Sequence, residues 1–85
     1  MNLTFTPQSW DDYQHWQQTD KKILKRIHEL IKDTLRSPYD GIGKPEPLKQ
    51  ALSGYWSRRI TEEHRMVYRQ IESGIVVVQL RYHYQ

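Results

Sequence analysis

The apolar residues of this chain change their period once, and that change limits what the chain can fold into. Ile23, Leu24, Ile27, Leu30, Ile31 and Leu35 follow the spacing of one helical face. From Tyr55 onward the segments YWSRRI, RMVYRQI and IVVVQLRYHY alternate with a period of two and are rich in β-branched and aromatic residues. Helical pattern first and strand pattern afterwards describe an α+β fold, with two N-terminal helices packed on a small, mainly antiparallel sheet. At 85 residues and 10.3 kDa the chain has room for one core and reads as a single domain over residues 1–85.

The remaining elements are shorter. Leu3 and Phe5 alternate with Thr4 and Thr6, which predicts a first, edge strand stopped by Pro7. Ser9 followed by Asp12 resembles a capping box, and Trp10, Tyr13 and Trp16 form a stripe, so a helix of about two turns is predicted there. Thr19 and Asp20 offer the N-cap of the longer helix, whose other face carries Lys21, Lys22, Lys25, Arg26, Glu29, Lys32 and Asp33 as a solvated surface. SPYDGIGKPEP, from Ser37 to Pro47, packs three prolines and two glycines into eleven residues and is predicted to hold no regular element. The last three strands form a meander. In its final strand Val76, Val78, Leu80 and Tyr82 are predicted to meet the helices, and Val77, Gln79, Arg81 and His83 to lie on the open face.

Charge divides unevenly along the chain. The first 43 residues hold six basic and six acidic residues, whereas residues 44–85 hold seven basic and four acidic, so the whole excess of +3 lies in the second half. Five of those seven are arginine, whose planar fork matches phosphate, and tyrosines lie among them. A polyanion is the natural partner, and a solvated basic sheet face is the plain alternative. Hydrophobic residues are only 36% and mean hydropathy is −0.90, yet aromatics reach 12%, too many for a disordered chain. With no cysteine there are no disulfides, thiolate metal sites or cysteine nucleophiles, and a reducing cytoplasm fits. MNLTFTPQSW lacks a basic stretch followed by an apolar run, and the longest aliphatic run, Ile75 to Val78, falls far short of the ~20 residues of a membrane span. Neither a secretory leader nor membrane association is expected.

Several chemistries drop out on motif grounds. There is no GxSxG, Walker loop or GxGxxG, and His15, His28, His64 and His83 stand in no HxxxH or HExxH spacing, so no metal site or cofactor is predicted. What remains is Glu46, fixed between two prolines, the terminal His83, and a group of arginines. Cleavage of RNA by its own 2′-OH needs that set. A base takes the hydroxyl proton, an acid protonates the leaving 5′-oxygen, and cations face the growing phosphorane charge.

KPEPLK (Lys44 to Lys49), LSGYWSRRITEEHRMVY (Leu52 to Tyr68) and RYHY (Arg81 to Tyr84), preceded by SWDDYQHWQQTDKKILKRIHELIKD, closely resemble the YoeB toxins, the Txe/YoeB family of the RelE/ParE superfamily. The resemblance covers nearly the whole chain and implies a RelE/ParE-like, microbial ribonuclease-type fold. It implies the toxin of a type II toxin-antitoxin system, a ribosome-dependent mRNA endoribonuclease that cuts without a metal. By that likeness Glu46 is the general base, His83 the general acid and Arg65 the ligand of the phosphate and transition state. Lys49, Arg59, Glu63 and Tyr84 match positions linked with activity or RNA placement, and Arg81 joins them as a phosphate contact. A glutamate and a histidine can exchange acid and base duties with modest pKa tuning. Family members commonly end at the His-Tyr pair, whereas this chain continues to Gln85.

The resemblance further implies a homodimer, a YefM/Axe-like antitoxin whose acidic segment covers the basic face, the 70S ribosome with mRNA, and operator DNA reached only through the antitoxin. The competing readings are a ParE-like toxin that cuts no RNA and a basic nucleic-acid-binding module without toxicity. Glu46, Arg65 and His83 together separate them, since a pure binder needs no acid-base pair.

Overall fold

The computed structural model describes residues 1–83; Tyr84 and Gln85 lie outside the described residues. In chain order it contains β1 (Asn2–Phe5), α1 (Pro7–Thr19), α2 (Lys21–Arg36), β2 (Glu46–Pro47), a single 3₁₀ turn (Gln50–Leu52), β3 (Trp56–Arg59), β4 (Arg65–Ile71) and β5 (Gly74–Gln79). The strands form one sheet in the order β1-β5-β4-β3-β2. β1 runs parallel to β5, and the other pairings are antiparallel. The α+β reading therefore holds, with β1 at one edge as expected.

Pro7 ends the first strand and also begins the first helix. Its missing N–H is harmless at the first helical position, and Thr6, not Ser9, is the N-cap: its Oγ1 accepts the Ser9 N–H at 3.3 Å. α1 is thus thirteen residues long, nearly twice the predicted two turns. Ser9 and Asp12 are buried within it, Ser9 Oγ donating to the Val77 carbonyl of β5 at 2.6 Å and the Asp12 carboxylate accepting the Leu80 N–H just beyond that strand. Of the aromatic stripe only Trp16 enters the core, while Trp10 stays exposed and stacks on Tyr13. Asp20 caps α2, accepting the N–H groups of Lys22 and Ile23.

The core lies between the helix pair and one sheet face. Trp16, Ile27 and Leu30 from the helices meet Ile60, Met66, Tyr68, Ile75, Val77 and Leu80. The predicted phase of the last strand is therefore reversed. Ile75 and Val77 face the helices, and Val76 and Val78 lie half-buried on the other face. An unbroken IVVV run carries no information about phase. The strand also stops at Gln79, so Leu80 reaches the core from an irregular segment rather than from a ladder position.

Two polar expectations are also revised. Asp33, placed on the solvated face of α2, binds the guanidinium of Arg58 at 2.7 Å, and Arg58 is 0% exposed. Arg58 also donates to Tyr68 Oη and to the carbonyls of Ser37, Asp40 and Ile42. This arginine therefore ties the 37–42 segment to the sheet and is withdrawn from any polyanion. The Ile42 N–H and Arg58 together hold the Asp33 carboxyl down at about 2, with Arg36 adding to them. The predicted irregular segment does contain one regular piece, since Glu46 and Pro47 pair with Ser57 and Trp56 to form the edge strand β2.

Candidate active site

The face the helices leave open gathers the polar chemistry. Register decides this. Glu46 pairs with Ser57, and Arg59 pairs directly with Arg65 across β3 and β4, so all four project to the same side of the sheet. With Lys44 and His83 they line one small hollow of about 160 Å³.

Each wall of the hollow has a local cause. Glu46 stands between two prolines whose fixed φ stiffens the backbone. Before it, Lys44 adopts a φ of 52°, sparsely populated for a residue with a Cβ. The Gly43 carbonyl there accepts the Arg59 N–H at 2.7 Å, and after Glu46 the Leu48 N–H donates to the Tyr55 carbonyl. These two bonds clamp the loop end to β3. Arg65 is aimed by the turn preceding it, where its Nη1 donates to the carbonyls of Thr61 (2.6 Å), Glu62 (3.1 Å) and His64 (3.2 Å). Among the described residues no ion pair within 4 Å joins Glu46 to a cation. The hollow thus holds two arginines, one lysine, one carboxylate and one imidazole on a partly open surface.

His83 is the last of the hollow's residues along the chain. It was expected on a continuing strand; instead the chain bends away after Gln79, with Tyr82 at a φ of 60°. Arg81 does not join the hollow. Its guanidinium lies over the rings of Tyr82 and Trp16, at 5.0 and 5.9 Å, beside an adjoining depression with Gln8, Gln79, Tyr82 and His83. Lys49 lines a second neighbouring depression together with Glu46. Glu63 is exposed at the β3–β4 turn, 3.3 Å from Nε2 of His64. Tyr84 is outside the described residues. His64 is the residue the sequence reading passed over, and it is buried beside the site. Its only sequence signal is its position between Glu63 and Arg65.

Two larger hollows flank α2. One, of about 590 Å³, is lined by Arg26, Glu29, Lys32, Asp33, Arg36 and Ile42, where Asp33 and Arg36 are already paired. The other, of about 550 Å³, is largely aromatic and aliphatic, with Phe5, Trp10, Tyr13 and Leu35 in its wall. Neither brings together an acid, an imidazole and uncommitted cations, which is what phosphoryl chemistry requires.

Two helices on one side of a five-stranded sheet, with an acid, a histidine and arginines gathered on the other, define a small α+β protein of the toxin type with a polar, cationic open sheet face. The chain belongs to the YoeB toxin family: the profile of the YoeB-like toxins of bacterial type II toxin-antitoxin systems matches residues 5–84. It is 60% identical to Toxin YoeB of Escherichia coli K12 over 84 residues, 99% of this chain and 100% of that protein. Among solved structures it is similar to the YoeB/ParE toxin of Agrobacterium tumefaciens, with a TM-score of 0.95 and 51% identity over 99% of this chain and 100% of that one. YoeB of Staphylococcus aureus is similar both as a dimer (TM-score 0.92, 49% identity) and in its complex with YefM (0.91, 48%), each over 99% of this chain and 98% of that one. Among the described residues no helix is long and apolar enough to cross a membrane.

Proposed function

We propose that this chain is an endoribonuclease that cuts mRNA on the ribosome and so arrests translation, working as one domain in the cytoplasm. The observation that carries the reading is the meeting of Glu46, Arg59, Arg65 and His83, from four separate segments, in one hollow on the open sheet face. In the proposed reaction the Glu46 carboxylate takes the proton of a ribose 2′-OH. The 2′-oxygen attacks the adjacent phosphorus, the bond from phosphorus to the 5′-oxygen breaks, and protonated His83 gives its proton to that oxygen. Arg65, with Arg59 beside it, faces the phosphorane, whose charge is greatest in the transition state. On this reading Lys44 and Lys49, beside Glu46, bind neighbouring phosphates of the strand, and the family resemblance adds Arg81, Glu63 and Tyr84 as flanking RNA-binding residues. These residues supply every proton transfer and charge contact the reaction needs.

Partners follow from the same surface and from the relatives. A basic open face suits an acidic antitoxin segment that folds over it, and the YoeB–YefM complex of S. aureus supports a YefM-like partner. The S. aureus YoeB dimer supports a homodimer. Operator DNA would be met through the antitoxin.

The deciding experiment maps cuts on an mRNA being translated in a cell-free extract and identifies the new ends. A 2′,3′-cyclic phosphate or its 3′-phosphate hydrolysis product, with a 5′-hydroxyl on the other fragment, is expected. A 5′-phosphate end, or intact mRNA with altered DNA supercoiling, would overturn the reading.

A further inference from the structure

His83 is carried by a segment that no ladder supports. After Gln79 the chain runs through Leu80, Arg81 and Tyr82 as a hook, and Tyr82 holds a left-handed φ of 60°, unfavourable for a bulky side chain. Such a conformation persists only when its surroundings determine it. Here they do so from three sides. From α1, the Asp12 carboxylate accepts the Leu80 N–H at 2.9 Å and the Trp16 indole donates to the Leu80 carbonyl at 2.9 Å. From β5, the Gln79 amide donates back to the carbonyls of Arg81 and His83, at 2.7 and 2.8 Å. From the β3–β4 turn, Nδ1 of His64 accepts the Tyr82 N–H at 2.7 Å, and the Arg65 N–H donates to the Tyr82 carbonyl at 3.0 Å.

His64 is built into this place. It is 8% exposed, with its ring edge-on to Trp16 at 4.8 Å and tilted against Tyr82 at 5.3 Å. Because Nδ1 accepts, it carries no proton, and the neutral ring holds its proton on Nε2, toward Glu63. We propose that His64 is a positioning residue for cleavage: its Nδ1 latches the Tyr82 amide, and the latch holds His83 at the hollow it shares with Glu46 and Arg65. The proposal rests on the reading of that hollow as a nuclease site. Unlike Asp12 and Trp16, which fix the root of the hook, His64 acts one residue from the imidazole it positions, and it adjoins Arg65 in sequence.

The latch is also chargeable. The ionisable groups facing His64 are Glu63 from the turn, His15 from α1, and Arg81, the Tyr82 phenol and His83 from the hook. Burial lowers the His64 pKa from its ordinary 6.5, Glu63 opposes this, and Arg81, His15 and His83 add to the lowering. At neutral pH the acceptor is intact. Protonation turns Nδ1 into a donor facing another donor, so acidification below the ordinary histidine range releases Tyr82.

The test compares the wild type with His64→Ala, which removes the acceptor, and His64→Asn, whose Oδ1 stands where Nδ1 stood. Three quantities are read: hydrogen exchange of the Tyr82 amide, single-turnover cleavage of ribosome-bound mRNA, and melting temperature. His64→Ala is expected to speed Tyr82 exchange and to lower the saturated cleavage rate at least about tenfold, with half-saturation changed less than about threefold. His64→Asn is expected to recover both. A folded His64→Ala protein cleaving within about twofold of wild type, or an asparagine no better than alanine, would overturn the proposal.

If His64→Ala does not fold, the wild type still decides. Tyr82 protection, corrected for intrinsic exchange, is expected to fall as His64 takes up its proton in an NMR titration, and protection indifferent to that titration refutes the latch. A wild-type protein that leaves translated mRNA intact refutes the nuclease reading and with it the positioning role of His64 in cleavage. The exchange data then report separately on whether the latch exists.

Discussion

Arg59 and Arg65 are direct cross-strand partners on the open face, two cations side by side in an antiparallel pair. Like charges so placed repel, and the fold tolerates them because Arg65 spends one nitrogen on the carbonyls of its turn. An anion between them would relieve the rest. Inorganic phosphate is therefore expected to raise the melting temperature, and Arg59→Gln to abolish most of that rise without itself destabilising the protein. Equal phosphate stabilisation of both proteins, followed by scanning calorimetry, would place the anion elsewhere.

In the proposed reaction Arg65 is the cation needed most at the transition state, and Arg65→Ala removes it. Under the proposed mechanism the cleavage rate is expected to fall by two or more orders of magnitude, each factor of ten being ~1.4 kcal/mol, while binding to ribosomes changes less. Single-turnover assays at saturating ribosome concentration make the measurement. A loss confined to half-saturation would make Arg65 a binding residue only.

Glu46 and His83 are both exposed, so their amides test chemistry apart from folding. Glu46→Gln and His83→Gln are expected to leave stability within about 0.5 kcal/mol of wild type and to retain antitoxin binding, yet to abolish growth arrest. If both remain toxic at equal expression, the acid and base lie elsewhere.

How far the sequence foretold this arrangement depended on whether a residue's partner was near in the chain. The Ile23–Leu35 face and the Asp20 cap were legible because helical period and capping are local. Glu46, Arg65 and His83 were legible as types, but their meeting rests on the register of β2, β3 and β4, which alternation does not encode. Arg58 stood among the phosphate-seeking arginines, and only the topology reveals that Asp33, twenty-five positions earlier, has claimed it. Asp12 was assigned to a helix end when its partner is the Leu80 N–H. His64 offered no periodic or motif signal, because its role is a contact to a backbone amide eighteen residues away.

The Asp33–Arg58 pair ties α2 to β3 through a fully buried guanidinium, and its pH dependence has a definite sign. Asp33 titrates at about 2 when folded against 3.8 unfolded, so its stabilisation is fully present above 3.8 and is lost as pH falls toward 2. Asp33→Asn is expected to cost about 3–5 kcal/mol at neutral pH by leaving a buried guanidinium uncompensated, and to flatten stability across that acid window. Urea melts of both proteins between those pH values give the comparison. An unchanged slope would mean that Arg58 is held by the loop carbonyls alone.

Gly74 separates stability from chemistry. It opens β5 opposite Asn2, and a Cβ there would collide with the Asn2 backbone nitrogen and carbonyl, so only glycine lets β1 lie this close. Gly74→Ala is expected to push β1 outward, break the Asn2 N–H to Ser73 carbonyl bond, and destabilise by about 1–3 kcal/mol, with faster exchange of β1 amides. The hollow is built from β2, β3, β4 and the hook, none of which pairs with β1. Cleavage per folded molecule, measured well below the melting temperature, should therefore stay within about twofold of wild type. A large loss of rate in a fully folded Gly74→Ala protein would show that the β1 edge steers the hook through α1, by way of Asp12, Trp16 and Leu80.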